Sequence, residues 1–258
     1  MSRLPLAVTA LAWRDVIRFV RQPSRVIGAL LQPLVFWLLL GGGLRGSFAP
    51  PGMEGADYME YFYPGILALT LLFTAIFATI SVVEDRRSGF LQGVLAAPVP
   101  RAGIVLGQAG GAALLAVMQG CVMLTLSPAA GLRPTASALI ATVLVMLPLA
   151  LSMTGLGLTL AWRMESTQGF HAIMNLVLMP MWLLSGAFFP ASGAPAWLAW
   201  IMRANPMTYG MAALRRALYL DAAAPPETPS MPASLLVMAL FGAITLVTAT
   251  VFARRSAP

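Results

Sequence analysis

Charged residues divide the chain into long uncharged runs, and this spacing predicts its elements. There are 19 uncharged residues between Arg25 and Arg45, 23 between Glu60 and Glu84, 31 between Arg101 and Arg133, 29 between Arg133 and Arg163, 37 between Glu165 and Arg203, and 26 between Glu227 and Arg254. A bilayer-crossing helix needs about 20 mostly apolar residues and rejects charge near its centre. The pattern therefore predicts an all-α membrane protein with six transmembrane helices, near 26–44, 61–83, 103–125, 137–161, 168–188 and 229–252, in one transmembrane domain over 1–258. The fifth run is too long for one span. Its remainder, ending in the turn-forming Phe189-Pro190-Ala191-Ser192-Gly193, reads as a membrane-surface excursion with short surface helices between spans 5 and 6. No signal peptide is expected, because the first apolar run starts 25 residues in and no A-x-A-like site follows it.

Composition agrees with lipid as the solvent. Hydrophobic residues make up 59% of the chain and charged residues 10%, against roughly 45–50% and about 25% in soluble domains, and the mean hydropathy is +0.82. All 16 basic residues are arginine. Without lysine there is no P-loop lysine, no Schiff-base lysine and no Ser-Lys dyad. Single residues of cysteine (Cys121) and histidine (His171) exclude disulfide frameworks, CxxC motifs and zinc sites of several Cys or His ligands. The central depths of the predicted spans carry no Asp, Glu or Arg, where an ion-coupled transporter holds its coupling groups, so the energy source should lie in another polypeptide.

Orientation follows from the arginines, since positive charge is held back from translocation. With six spans, Arg3, Arg14, Arg18, Arg21, Arg25, Arg86, Arg87, Arg101, Arg163, Arg254 and Arg255 fall on one side. Arg45, Arg133, Arg203, Arg215 and Arg216 fall on the other, along with Glu54, Asp57, Glu60, Asp221 and Glu227. Both termini are expected to be cytoplasmic in a multi-pass protein of the cell (inner) membrane. The net charge of +7 then reads as topology and contact with membrane lipids. No basic run or aromatic-basic platform suggests nucleic acid.

Three segments carry more specific information. Residues 6–22, if helical, place Leu6, Trp13, Val16, Ile17 and Val20 on one side and Arg14, Arg18 and Arg21 on the other, which predicts an interfacial amphipathic helix with its arginines among headgroups. Such a helix serves as an anchor or as a functional surface collar. The loop Glu84-Asp85-Arg86-Arg87-Ser88-Gly89-Phe90-Leu91 and onward to Pro98 and Arg101 predicts a helix near 85–96, with Phe90, Leu91, Val94 and Leu95 on one stripe and a stop at Ala97-Pro98. That stripe needs a cover, either the membrane surface or a partner protein. In the outer segment, Asn205 is expected to cap a helix over about 206–219 with Pro206 in its first turn. Trp182, Trp197, Trp200 and Tyr209 are expected to form an interfacial belt there, sealing the outer leaflet or gating release.

The run Glu84 to Leu91, continuing through Leu95-Ala96-Ala97-Pro98-Val99-Pro100-Arg101 to Gly107, resembles the cytoplasmic coupling loop of type-2 ABC exporter permeases, particularly their daunorubicin-resistance-like branch. A second stretch, Leu184-Ser185-Gly186-Ala187-Phe188-Phe189-Pro190 with Pro195-Ala196-Trp197-Leu198, Asn205-Pro206-Met207-Thr208-Tyr209 and Arg215, is similar to that family's signature after the fifth span. Tyr63-Pro64-Gly65-Ile66 fits the start of its second span. The chain departs from many members in having Asp85 after Glu84 and Phe90 after Gly89.

The resemblance implies a permease subunit, as a homodimer or heterodimer, working with a separate ATP-binding subunit. That ATPase would bind ATP and magnesium, this chain needing no cofactor or metal, and would drive an amphipathic or lipid-linked substrate outward. It implies coupling roles for Glu84, Arg87, Gly89, Phe90, Leu91, Val94, Leu95, Pro98 and Arg101, and an outer gate or signature at Ser185, Gly186, Phe188, Phe189, Pro190, Asn205, Pro206, Tyr209 and Arg215.

Weaker signals remain. Gly103, Gly107 and Gly111, four apart, predict a smooth face for close helix packing. Pro148 and Pro180 fall inside spans and can kink them. Met174, Met179 and Met181 read as gap-filling core or an adaptable substrate surface, and Gly41 to Gly46 as an accidental GxGxxG. A rival reading is a membrane-embedded enzyme acting on lipid or peptide bonds, with Glu84, Asp85, Glu165 and His171 as its acid-base cluster.

Overall fold

The computed structural model of the chain describes residues 3–44, 58–190, 193–220 and 229–255. Arg45, Gly46, Glu54, Asp57, Ala191, Ser192, Asp221 and Glu227, which entered the loop and turn expectations, lie outside the described residues. The described residues are mostly helical, without strands. They comprise α1 (Arg3–Val20), α2 (Pro23–Phe36), α3 (Tyr58–Ala78), α4 (Ile80–Arg87), α5 (Phe90–Ala96), α6 (Arg101–Leu124), α7 (Ala136–Ala161), α8 (Thr167–Trp182), α9 (Ala196–Ala204), α10 (Pro206–Leu218) and α11 (Met231–Arg255).

Among the described residues, five segments are long and apolar enough to cross a membrane: Tyr58–Arg87, Arg101–Leu124, Ala136–Ala161, Thr167–Ala187 and Met231–Arg255. They agree with the second to sixth predicted spans. The predicted first span corresponds to a shorter apolar helix, Val26–Gly41, in which α2 passes into a π-helical turn at Trp37–Gly41. A wider turn advances less per residue.

Hydrophobicity explains which helix sits at the centre. From Tyr61 to Ile76 every side chain of α3 is buried. It packs against α2, α6, α7, α8 and α10, so an all-round apolar sequence is matched by an all-round protein environment. Polar side chains inside this core bond across helices. Thr74 on α3 donates to Gln119 on α6, and the Tyr63 hydroxyl donates to the Met123 carbonyl. Small residues set the closest approaches, as at Gly242 on α11, where a Cβ would lie 3.3 Å from Ser152 on α7.

The glycine face of α6 also serves packing. A Cβ on Gly107 would meet Leu11 at 3.0 Å and the Val8 carbonyl at 3.1 Å, and one on Gly111 would meet the Ala12 carbonyl at 3.0 Å. Helix α1 lies in this groove.

Candidate functional site

The loop between the second and third predicted spans begins where α4 runs out at Arg87. One continuous helix over 85–96 was expected, and here the structure corrects the sequence. Gly89 takes φ +75°, a left-handed conformation that costs glycine little and other residues more. The chain breaks there, and a separate helix, α5, starts at Phe90. It ends as expected, with Ala97 extended (ψ 147°) before Pro98. Arg101 stabilises the new C-terminus by donating to the Leu95 carbonyl at 2.8 Å, one of the carbonyls a helix end leaves without an intrahelical partner.

The apolar stripe of α5 is split between two environments. Leu91 is buried in the chain's own core, 3% exposed, and Val94 and Leu95 pack against that core. Leu91 therefore faces inward, because rotating the stripe away from α4 and α6 would leave its side chain in water. The exposed face consists of Arg87, Ser88, Gly89, Phe90, Gln92, Gly93, Ala96, Ala97 and Pro98.

Helix α1 meets this region through charge. Arg14 pairs with Asp85 and, at 2.8 Å, with its neighbour Asp15. Arg18 reaches Asp85 and Glu84, each at 2.9 Å. The Arg14 guanidinium also lies 4.3 Å from the centre of the Phe90 ring. Arg14 and Arg18, expected among headgroups, are thus engaged by the end of α4, while Arg21 stays exposed. The expected apolar face is divided as well, with Val16 buried and Leu6, Trp13 and Val20 more than half exposed. Burial pushes the Asp15 carboxyl above its ordinary range, against the opposing pull of Arg14. Arg86 points the other way, donating to the carbonyls of Trp162 (2.9 Å) and Met164 (3.1 Å) after α7. Neither Asp15 nor Arg86 has a candidate role from sequence alone. The partners of Arg86 are more than 70 positions away, and Asp15 is held by its neighbour Arg14, which only the helix crossing joins to Asp85.

Beside the charge cluster, α1, α2, α3, α4, α6 and α8 line a half-open cavity of about 410 Å³. Asp15, Arg18, Gln32, Thr74, Ser81, Glu84, Thr167 and His171 give its wall a polar side, and Phe19, Leu69, Phe73, Phe77 and Leu115 an apolar one. The rings of His171 and Phe77 are 5.4 Å apart. Glu84 and His171 thus share a wall, but the carboxylates of Glu84 and Asp85 are held in ion pairs with Arg18 and Arg14. Met174 is fully buried rather than in the cavity wall.

The second candidate region is the far end of α8. After Trp182 the helix widens into a π-turn, Leu183–Ala187, in which Gly186 has φ +86°. The turn seats on α3 because Gly65 lacks a side chain, since a Cβ there would sit 2.8 Å from that of Ala187. Trp182 donates its indole N–H to the Gly65 carbonyl at 2.8 Å, and Ser185 bonds the Trp182 carbonyl at 2.6 Å. Phe188 packs on Phe62 with ring centres 5.6 Å apart, and its carbonyl accepts from Tyr58 at 3.3 Å. Phe189 and Pro190 are half-buried beside it.

Asn205 ties the following helices to this turn. Its Oδ1 accepts from the Met207 N–H at 3.0 Å, the expected cap with Pro206 in the first turn of α10, while its Nδ2 donates to the Met181 carbonyl at 2.6 Å. Arg215, 5% exposed, donates to the Gly186 carbonyl at 3.2 Å and lies 4.5 Å from the centre of the Tyr61 ring. Tyr209 bonds the Arg203 carbonyl at 3.1 Å at the surface. Trp197 and Trp200 are exposed, as an interfacial belt requires, but Trp182 is fully buried in the core. Its ring is surrounded by Phe36, Phe62 and Phe188.

A bundle of apolar helices, five of them long enough to cross a bilayer among the described residues, is the architecture of a polytopic membrane protein. Residues 7–219 match the ABC-2 type transporter family, and the chain belongs to it. It is 29% identical over 206 residues to a putative transport permease, ycf38, of Cyanophora paradoxa, covering 78% of this chain and 70% of that one. It is 22% identical over 209 residues to the daunorubicin resistance ABC transporter permease protein DrrB1 of Streptomyces coeruleorubidus, covering 80% and 73%. It is 26% identical over 209 residues to nodulation protein J of Rhizobium meliloti (strain 1021), covering 80% and 76%. The protein is a membrane permease subunit of an ABC exporter.

Proposed function

We propose that this permease spans the cell inner membrane six times, with α2 and its π-turn as the first span and both termini cytoplasmic. It pairs with a second permease chain and with two copies of a separate subunit that binds ATP and magnesium. The exposed face of α5, centred on Phe90, Gln92 and Gly93, docks in a groove of that ATPase. The cavity beside the charge cluster loads an amphipathic or lipid-linked substrate from the cytoplasmic side, and the Trp182 to Phe188 turn gates its release outward. ATP-driven closure of the ATPase pair presses on α5 and is passed to α3 through α4.

The observation that supports this reading best is the mounting of α5. A seven-residue helix is set off by a left-handed glycine, closed by Arg101, and joined through Arg14 to α1. Such a unit can move as one piece. Phe90→Asp and Gly93→Arg, both on the exposed face, are expected to leave membrane insertion intact and abolish ATP hydrolysis stimulated by the permease. Normal stimulation in both variants would refute the docking. Leu91→Asp is a poor test, because it buries a charge in the permease core. Purification from native membranes should recover a P-loop ATPase, and a lone, ATP-independent chain would point back to Glu84, Asp85, Glu165 and His171 as an enzyme centre.

A further inference from the structure

The cavity has an asymmetric polar wall. Arg18 is its guanidinium, and both of its NH groups are engaged, NH1 by Asp85 and NH2 by Glu84 at 2.9 Å each. Asp15 is differently placed. It is 9% exposed, and Arg14 delivers both of its hydrogen bonds to the same oxygen, Oδ1, at 3.2 Å and 2.8 Å. Among the described residues no hydrogen bond ends on Oδ2, on a side chain that lines the cavity. A carboxylate oxygen left open on a cavity-lining side chain is an acceptor for a cationic group. Burial of the side chain raises its carboxyl above the ordinary range. Leu69, Phe73, Phe77 and Leu115 give the same cavity apolar surface for a ligand body.

We propose that the cavity binds a monocationic amphiphile, its protonated amine on Oδ2 of Asp15 and its apolar body against Phe73 and Phe77. An anion would find the Arg18 guanidinium already occupied, and a neutral amphiphile would leave Asp15 as it is. The amine sits beside Arg18, so the two cations repel each other, and a ligand of higher charge is excluded. The inference rests on the reading of the cavity as the loading site of the permease, and it assigns the class of substrate.

The test uses the full-length permease in nanodiscs of zwitterionic lipid, with empty nanodiscs as the blank. The probes are dansylcadaverine, its neutral N-acetyl derivative and an anionic dansyl-aminohexanoate, read by saturable fluorescence enhancement. The cation should bind at least about tenfold more tightly than either analogue, the gain expected of one charge-assisted hydrogen bond. Asp15→Asn should erase that preference and Asp15→Glu restore part of it. Arg18→Gln should tighten cation binding, an effect opposite in sign to general damage to the fold. Equal binding of the three probes, no effect of Asp15→Asn, or weaker binding in Arg18→Gln overturns the proposal. Phe77→Ala separates the two layers. If it weakens all probes while charge is ignored, the loading site stands and the cationic class falls. If it changes nothing, both fall.

Discussion

Two roles for the arginines of α1 can be separated by a double-mutant cycle on Arg14 and Asp85. The Asp85 side chain is 7% exposed and that of Arg14 28%, so the pair lies between the limits for which magnitudes are known. Exposed ion pairs are worth about 0.2–1 kcal/mol, and removing one partner of a fully buried pair costs about 3–5 kcal/mol. With Arg14 partly wet, and Asp85 retaining its bond to Arg18, a coupling energy of about 1–2 kcal/mol is expected. The variants are Arg14→Met, Asp85→Asn and the double variant, each unfolded at equilibrium with SDS in zwitterionic bicelles. The single variants should each lose stability and the double variant should lose less than their sum. If the arginine were held only by anionic headgroups, Arg14→Met would be neutral in zwitterionic lipid, and the cycle would close at zero. A coupling below about 0.3 kcal/mol, within the scatter of independent sites, would refute the ion pair as a link between α1 and the loop between α4 and α5.

Four further substitutions, at three positions, probe the packing around the two regions. Gly107→Leu forces side-chain atoms into the space held by Leu11 and the Val8 carbonyl. It should cost about 1–3 kcal/mol, and the Arg14–Asp85 coupling measured in its background should shrink as α1 is displaced. Gly65→Val drives a methyl group into Ala187 and the π-turn, so substrate release should slow while insertion, followed by protease protection of the loops, stays normal. Asn205→Ala removes both the cap of α10 and the bond to Met181 and should cost about 1–2 kcal/mol from the cap alone. Asn205→Asp keeps the acceptor for Met207 but cannot donate to Met181, and it should fall between wild type and Asn205→Ala in thermal unfolding.

Five of the helices were legible because lipid imposes a one-dimensional rule: the charges that end a span are visible in the sequence. The cap at Asn205, the stop before Pro98 and the packing use of Gly107 and Gly111 were legible for a similar reason, since each depends on a few adjacent residues. What escaped depends on rotation and distance. The stripe of Phe90, Leu91, Val94 and Leu95 is real as a spacing, but spacing does not say which way it turns, and the bend at Gly89 turns Leu91 into the core. Trp182 fits a belt by its position near a span end, yet the seat on Gly65 draws it inside. The arginines of α1 fit headgroups by their periodicity, yet they find Glu84 and Asp85 more than 60 positions away.

That last displacement joins what the sequence presents as two separate motifs. Helix α1 and the loop between α4 and α5 are one assembly, with Arg14 touching Asp15, Asp85 and Phe90 at once. A force on α5 therefore has two routes into the membrane. One runs through Ser88 and Gly89 into α4 and on to α3, the most enclosed helix. The other runs through Arg14 and Arg18 into α1 and across the glycine seam of α6, on which α1 lies. Because Asp15, Arg18 and Glu84 belong both to this junction and to the cavity wall, whatever enters the cavity changes the charges on which the second route depends. On the proposed function, loading and coupling would be linked by shared side chains, without any chain of contacts between distant sites.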